Sequence, residues 1–214
     1  MLDTTQTLAC LFDLDGVILD TETQYSVFWV DTCKRYLNDG SLGNKLKGQS
    51  LELIYKTLFP NQPELCAKIT EQLDAFEASM KMEYIPGFPS FITQLKEHGV
   101  KTAIVTSSNK AKMQSVKKNR PELWDVFDFV LTAEQFAHSK PAPDPYLLGA
   151  EKTQAAISNC VVFEDSFNGL KSGRAAQMKV VGLATTNPKE AIKDYADMVI
   201  SDFTEITYDT IIHL

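Results

Sequence analysis

The sequence lacks cysteine pairs, a signal-like segment and long apolar runs. Its four cysteines form no CxxC pair and have no histidine at metal-ligand spacing, so neither a disulfide framework nor a zinc site is expected. No apolar run approaches the length of a membrane span, and the first residues, MLDTTQT, have neither the basic nor the apolar region of a signal peptide. We therefore expect a reduced cytoplasmic protein with no membrane partner.

Basic charge is also scarce. The 214 residues include 21 lysines and arginines against 28 acidic residues, which gives a net charge of −7, and the basic residues do not cluster. Nucleic-acid binders neutralise phosphates with such clusters, so this class of partner is not expected. Apolar residues make up 44% of the chain, enough for one well-buried core, or for a core plus a smaller appended domain. No feature of the sequence specifies an oligomer, and a monomer is the default expectation.

Apolar runs alternate with amphipathic stretches along most of the chain. Several runs are apolar at successive residues, which is typical of parallel strands covered on both faces. The alternation predicts βαβ units and hence an α/β fold with a parallel sheet between helices. The predicted strands span residues 7–13, 101–106, 127–132, 159–165 and 179–185, with an edge strand at 197–201, and the predicted helices span residues 88–98, 108–118, 143–152, 167–177 and 188–194.

One segment, residues 21–84, interrupts this alternation. It contains helical patterns such as LELIYKTLF and no convincing strand. Pro86 and Gly87, which follow it, are a typical turn pair. We therefore expect a helical domain at residues 20–85, inserted into a core formed by residues 1–19 and 86–214. Because the insertion leaves the core directly after the first strand, it is expected to lie over the end of that strand.

Side chains suited to phosphate chemistry follow several of the predicted strands. In open parallel sheets, ligands bind outside the carboxyl ends of the strands, so residues at these ends are expected to converge on one edge. The residues in question are Asp13 and Asp15 after the first strand, Thr106, Ser107 and Ser108 after the second, Lys140 in the loop after the third, and Glu164 and Asp165 at the end of the fourth.

The two aspartates near the first strand end, Asp13 and Asp15, repel each other unless a cation lies beside them. Oxygen ligands favour a hard ion such as Mg²⁺, which leaves positions for water and a substrate phosphate. Asp13 can then attack phosphorus to give an aspartyl-phosphate, while Asp15 protonates the leaving group and later activates water. Thr106 and Lys140 are suited to hold the remaining phosphate oxygens.

Four motifs carry a family resemblance: DLDGV, IVTSSN, SKPAPDP and VVFEDSFNGLKSG, in this order. Together they resemble the haloacid dehalogenase-like superfamily, and more closely its subgroup of β-phosphoglucomutase and small sugar-phosphate phosphatases. The resemblance implies a Rossmann-like parallel sheet core with an inserted α-helical cap domain after the first motif. It covers nearly the whole chain, and four motifs in register are far more specific than a lone DxDG, which is often only a turn.

The resemblance also implies roles for individual residues. Asp13 is expected to be the nucleophile and Asp15 the general acid and base. The implied Mg²⁺ ligands are the Asp13 side chain, the backbone carbonyl of Asp15, and Glu164 with Asp165. Asp15 favours phosphoryl chemistry, because the true dehalogenases lack this second aspartate. The implied phosphate-binding residues are Thr106, Ser107, Ser108, Asn109 and Lys140. Independently of the resemblance, either Asp165 or Ser166 is a residue type suited to the N-cap of the helix that follows.

The choice between hydrolase and mutase depends on the helical insertion. The mutases carry a histidine where this chain has Tyr25, and an arginine for a second phosphate where it has Leu51. Lys47 or Lys81 is a substitute for that arginine, so a β-phosphoglucomutase-type mutase stays an alternative, as does a non-catalytic binding protein. The expected activity is Mg²⁺-dependent hydrolysis of a small phosphorylated metabolite such as a sugar phosphate. The expected substrate contacts in the cap are Thr21, Tyr25, Lys47, Gly48 and Gln49.

Overall fold

The computed structural model describes residues 2–46 and 49–214. Two of the predicted substrate contacts, Lys47 and Gly48, lie outside the described residues. The chain divides into two compact units. A core unit comprises Met1–Asp20 and Met82–Leu214, and a helical unit comprises Thr21–Lys81. Within the described part of the chain, no helix is both long and apolar enough to cross a membrane.

The core unit is built on a parallel six-stranded sheet with the order β3-β2-β1-β4-β5-β6. All six predicted strands are confirmed, each slightly shorter than its apolar run. Strand β1 is central, and the chain order reverses on its two sides, which creates the switch point at which open α/β sheets bind ligands. The strands are β1 (Ala9–Phe12), β2 (Lys101–Val105), β3 (Phe129–Leu131), β4 (Cys160–Glu164), β5 (Lys179–Leu183) and β6 (Met198–Ile200).

Helices follow the strands of the core unit, close to the predicted positions. In chain order the α-helices of the protein are α1 (Glu22–Leu37), α2 (Leu51–Leu58), α3 (Pro63–Ser79), α4 (Phe88–Glu97), α5 (Lys110–Asn119), α6 (Leu123–Val126), α7 (Asp144–Thr153), α8 (Phe167–Ala175), α9 (Lys189–Ile192) and α10 (Tyr208–Ile212). The predicted helix at residues 188–194 is the short α9 followed by one 3₁₀ turn, Lys193–Tyr195.

The register of the central strands sets where their polar ends lie. Phe12, the last residue of β1, pairs with Ile104 of β2 and Phe163 of β4. The Phe12 and Phe163 rings stack with centroids 4.5 Å apart and are fully buried, because both faces of the sheet are covered. The next residues along these three chain segments are Asp13, Val105 and Glu164. The apolar packing thus fixes the positions from which the polar side chains start.

The helical unit has its own apolar core. Trp29 and Cys33 of α1 pack with Ile54 of α2 and with Ile69 and Leu73 of α3. Between α1 and α2 a 3₁₀ helix, Gly40–Lys45, brings its backbone against α1. No strand occurs in this unit among residues 21–46 and 49–81. The insertion is therefore helical, as its sequence pattern predicts.

Gly87, which precedes α4, is required by its conformation and its surroundings. Its φ is 80°, and a Cβ there would lie 2.5 Å from the backbone carbon of Phe203. Gly99 also has a positive φ, 68°, but nothing lies within 4 Å of a Cβ at that position. We expect Gly87→Ala to lose about 1–2 kcal/mol from the left-handed conformation and about 1–3 kcal/mol more from overpacking. Gly99→Ala should lose the first contribution alone. Urea unfolding of both variants measures the difference, and equal losses would contradict the steric argument.

Candidate active site

The first carboxylate of the site, Asp13, directly follows β1. Its backbone N–H donates to the carbonyl of Phe163 at 3.0 Å, which extends the pairing of β1 with β4 by one residue. The chain then turns at Gly16, where φ is 74° and the N–H donates to the Leu19 carbonyl at 2.8 Å. Thr185, after β5, supports this turn through a 2.6 Å hydrogen bond to the Gly16 carbonyl. The turn carries Asp15 two residues beyond Asp13.

Lys140 joins the polar ends of three strands. Its Nζ donates to Asp13 Oδ1 at 2.7 Å, to Glu164 Oε1 at 2.6 Å and to the Val105 carbonyl at 2.9 Å. Burial alone would lower the pKa of Lys140, but the two carboxylates outweigh it and raise the pKa above its ordinary value. Lys140 therefore stays cationic and neutralises part of the negative charge around it.

Glu164, the last residue of β4, is fully buried and held from several sides. Besides Lys140, the hydroxyl of Tyr146 donates to Oε1 at 2.7 Å. The N–H and the hydroxyl of Ser166 donate to Oε2 at 3.3 and 3.1 Å. Ser166 also caps α8, since its hydroxyl accepts the Gly169 N–H at 3.0 Å. The predicted cap is thus confirmed for Ser166, and the same residue orients a carboxylate.

Asp165 is held by residues that follow β5. The Thr186 hydroxyl donates to its Oδ2, and the Asn187 side-chain amide donates to its backbone carbonyl at 2.9 Å. Neither residue was singled out from the sequence, because TTN after a strand has the composition of an ordinary loop. The structure therefore adds β5 to the strands that position the site.

Asp13, Glu164 and Asp165 form a cluster that suits a metal ion. Each offers one carboxylate oxygen, and these oxygens lie within 4.8 Å of one another. Burial raises the pKa of Asp13 to about 7, with Lys140 opposing the shift and Glu164 and Asp15 adding to it. Bringing the three carboxylates together costs free energy, because their negative charges repel one another. A hard divalent cation bound among them would relieve this repulsion, so the cluster fits such an ion. The donors are oxygens, as Mg²⁺ prefers.

Four of the five predicted phosphate-binding residues, Thr106, Ser107, Ser108 and Asn109, directly follow β2. The Thr106 side chain accepts the N–H of Ser108 at 3.0 Å, and the hydroxyl of Ser108 donates to Asp15 Oδ2 at 3.0 Å. Asn109 caps α5, since its side-chain oxygen accepts the Lys112 N–H at 2.8 Å. Ser107 is exposed. The loop therefore brings Ser108 to Asp15, while the side-chain oxygen of Asn109 takes part in helix capping.

Lys112 is a second buried cation of the site, and it lies outside the residues predicted from the motifs. Its Nζ donates to Asp15 Oδ2 at 2.5 Å, and the two side chains are 4% and 15% exposed. The only hint in the sequence is its spacing four residues before Val116, which is buried on α5. A lysine at such a position commonly extends into solvent, so the pattern gave no reason to select it.

The predicted cap contacts make bonds within the helical unit. The N–H of Tyr25 donates to the Thr21 carbonyl at 3.0 Å at the start of α1. The Tyr25 hydroxyl donates to Glu77 of α3 at 2.7 Å. The Gln49 side chain donates to the Lys45 carbonyl at 2.9 Å. These bonds place the side chains of Tyr25 and Gln49 within their unit, and the role of all three residues toward a substrate stays a prediction.

The chain is similar to a known family of hydrolases and to individual phosphatases. The profile described as haloacid dehalogenase-like hydrolase matches residues 10–183. The chain is 28% identical over 215 residues to hexitol phosphatase B of Escherichia coli strain K12, covering 94% of this chain and 95% of that protein. It is 29% identical over 209 residues to the bifunctional riboflavin kinase/FMN phosphatase of Arabidopsis thaliana, covering 92% of this chain. The chain spans about half of that longer protein, 53% of its length.

Two solved structures have the same fold. A HAD hydrolase, family IA, variant 3, from Entamoeba histolytica HM-1:IMSS superposes with a TM-score of 0.85 at 24% identity, covering 97% of this chain and 98% of that one. The β-phosphoglucomutase of Clostridium difficile superposes with a TM-score of 0.79 at 24% identity, covering 96% and 95%. At this identity the likeness concerns the fold alone.

Proposed function

The chain belongs to the haloacid dehalogenase-like hydrolase family, and from that premise we propose that it is a Mg²⁺-dependent phosphomonoester hydrolase acting on a sugar phosphate through phospho-Asp13. The resemblance inferred from the four motifs is thereby confirmed. The observation that carries the proposal is the convergence of Asp13, Lys140 and Glu164 at the carboxyl ends of adjacent strands, with Asp165 beside them. Asp15, two residues after the nucleophile, supplies the proton carrier.

The chemistry follows from these side chains. Lys140 holds Oδ1 of Asp13 and so orients the carboxylate for attack. As a carboxylate oxygen forms its bond to phosphorus, the bond to the sugar oxygen breaks, and Asp15 transfers its proton to that oxygen. In the second half, Asp15 takes a proton from a water that attacks the phosphorus of phospho-Asp13, which releases inorganic phosphate and restores both aspartates.

The residues that would hold Mg²⁺ are Asp13, Glu164 and Asp165, together with the backbone carbonyl of Asp15. When bound, the ion supplies neutralisation of the charge that develops on the transferring phosphoryl group. Lys140 offsets part of the charge of the Asp13 and Glu164 carboxylates, and Thr106, directly after β2, is a further proposed phosphate ligand.

We assign specificity to the helical unit. The proposal gives residues 20–85 the role of a cap and residues 1–19 with 86–214 that of the catalytic core. A cap that closes over the substrate excludes bulk water from the phospho-enzyme. Thr21, Tyr25 and the segment Lys47–Gln49 are the proposed substrate contacts. A small phosphorylated metabolite is the substrate class that such a closure suits.

A sugar phosphate is favoured within that class. The similarity to hexitol phosphatase B extends over 94% of this chain, including the segment that forms the helical unit. A mutase must also hold a second phosphate, and Leu51 offers no charge where the mutases carry arginine. We therefore place hydrolysis ahead of the β-phosphoglucomutase-type reaction.

A screen of phosphorylated metabolites tests the proposed function. Hexose phosphates, hexitol phosphates, FMN, and β-glucose 1-phosphate primed with glucose 1,6-bisphosphate are incubated with enzyme and Mg²⁺. We expect stoichiometric release of inorganic phosphate with the highest kcat/KM on a sugar or hexitol phosphate, loss of activity with EDTA, and recovery on adding Mg²⁺. Glucose 6-phosphate formed without matching free phosphate would identify a mutase, and no turnover of any ester would leave the binding-protein alternative.

A further inference from the structure

A second buried ion pair lies in the core unit, separate from the bonds of Lys140. Lys112 Nζ and the Ser108 hydroxyl both donate to one oxygen of Asp15, Oδ2, at 2.5 and 3.0 Å. Lysine is rarely buried, because removing an ammonium group from water is costly unless it is paired. The proposed reaction assigns Lys112 no task so far.

The two donors are held in place by their own segment. Ser108 is tied back to the end of β2 through its N–H and the Thr106 side chain, at 3.0 Å. Lys112 lies in the first turn of α5, and its N–H is fixed by the Asn109 cap at 2.8 Å. Met113 and Val116 of the same helix are buried. The side chain of Asp15 is therefore anchored by a rigid loop and helix start.

The chemistry of the donors determines what this anchor does. An ammonium group can only donate hydrogen bonds, so the oxygen that Lys112 binds must accept. When Asp15 is in its acid form, its proton is then carried on Oδ1. Resting on the proposed function, we propose that Lys112 is a positioning residue that, with Ser108, holds Oδ2 of Asp15 so that proton transfer to the leaving group proceeds from Oδ1.

This role predicts a dependence on the leaving group. A p-nitrophenolate leaves without a proton, whereas phenolate is a poorer leaving group and gains more from general acid catalysis. The two aryl phosphates are close in shape, so their kcat/KM ratio isolates the proton transfer. In Lys112→Met the ratio of p-nitrophenyl phosphate to phenyl phosphate should rise by about 10-fold or more, because the acid is no longer aligned.

The control variants separate positioning from a structural effect. Lys118→Met removes the same charge from an exposed site on α5 and should keep the wild-type ratio. Lys112→Arg retains a donor and should restore most of the ratio. If Lys112→Met has a lowered thermal unfolding midpoint, Ser108→Ala, which removes the other anchor, should shift the ratio in the same direction. A loss in Lys112→Met that is equal on both substrates would overturn the inference.

Asp15→Asn distinguishes this inference from the function on which it rests. The variant should raise the ratio at least as much as Lys112→Met. If it does and Lys112→Met does not, the positioning role is wrong and the proposed hydrolase stands. If Asp15→Asn leaves the ratio unchanged, the acid–base assignment itself is wrong. Phosphate release from neither aryl ester by the wild-type protein would count against the proposed hydrolase.

Discussion

Replacing Asp13 by Asn should reduce kcat by about 10⁴-fold or more, because an amide cannot form the covalent phospho-enzyme and removal of a nucleophile eliminates both half-reactions. The change keeps the size of the side chain and an oxygen within reach of Lys140. Phosphate release from the best substrate of the screen measures the rate. Intact-protein mass spectrometry with a slow substrate should detect phospho-enzyme in the wild-type protein and not in the variant.

Two controls make this result specific. Asp20→Asn makes the same chemical change at an exposed position seven residues later and should retain wild-type kcat. Retained turnover in Asp13→Asn would contradict the mechanism. Stability measurements guard against a variant that is inactive because it is unfolded. Asp13→Asn is in fact expected to be the more stable protein when no metal is present.

The expected stability follows from the pKa of Asp13. Burial raises that pKa from 3.8 to about 7. In the metal-free protein the folded state therefore binds this proton more tightly than the unfolded state, and the contribution to stability falls as the pH rises from about 4 to 7. Asparagine does not ionise, so Asp13→Asn does not lose this stability as the pH rises. In EDTA at pH 8 the variant should unfold at a higher temperature than wild type, and the difference should shrink toward pH 4.

Replacing Gly169 by Ala should weaken Mg²⁺ binding by about 10–100-fold, the effect expected when the partners that orient a ligand are lost. A Cβ at this position would lie 1.7 Å from Glu164 Oε1 and 1.8 Å from its carboxyl carbon. The Glu164 carboxylate must therefore move, which breaks its bonds to Lys140 and Tyr146. The Mg²⁺ concentration that gives half-maximal phosphate release and a calorimetric titration of Mg²⁺ both measure the change.

The matched control for this change lies one turn along the same helix. A Cβ at Gly173 would be 3.0 Å from a methyl group of Val180 and 3.1 Å from one of Val162, and no carboxylate is among its three nearest atoms. Gly173→Ala should therefore alter stability and leave the Mg²⁺ dependence as in wild type. Alanine favours a helix over glycine by about 1 kcal/mol, so helix propensity alone predicts no loss in either variant. A wild-type Mg²⁺ dependence in Gly169→Ala would refute the close-packing argument.

The sheet could be predicted from the sequence because strands that are buried on both faces are apolar at successive residues. CVVF in β4 and VVGL in β5 have no polar side chain at successive positions, and each predicted run contains an observed strand. Asp13, Lys140, Glu164 and Asp165 could be selected as candidate site residues because they lie in recognisable motifs after such runs or at their ends. Whether a residue follows an apolar run can be determined from the sequence alone, before the fold is known.

The residues that orient these groups could not be identified from a sequence pattern in this way. In the sequence Tyr146 of α7 cannot be distinguished from an ordinary core aromatic. Its 2.7 Å bond to Glu164 and the Lys140 ammonium group 4.9 Å from its ring centroid assign it to the site. Thr186 lies in a loop, and Lys112 lies among other lysines of α5. Their roles depend on distances between segments remote in the sequence, such as the 97 positions between Lys112 and Asp15. Local patterns carry no information on such distances.

The central position of β1 has a consequence for the order in which the protein is synthesised. β1 is made first, yet one of its two neighbours, β4, is not complete until Glu164 has been added. Until then the nascent chain has an apolar strand with one unpaired edge, which is the kind of surface that promotes aggregation during folding. Glu164 and Asp165 add their negative charge beside Asp13 only when β4 pairs with β1. We therefore expect the edge of β1 that pairs with β4 to stay unpaired until Glu164 and Asp165 have been synthesised.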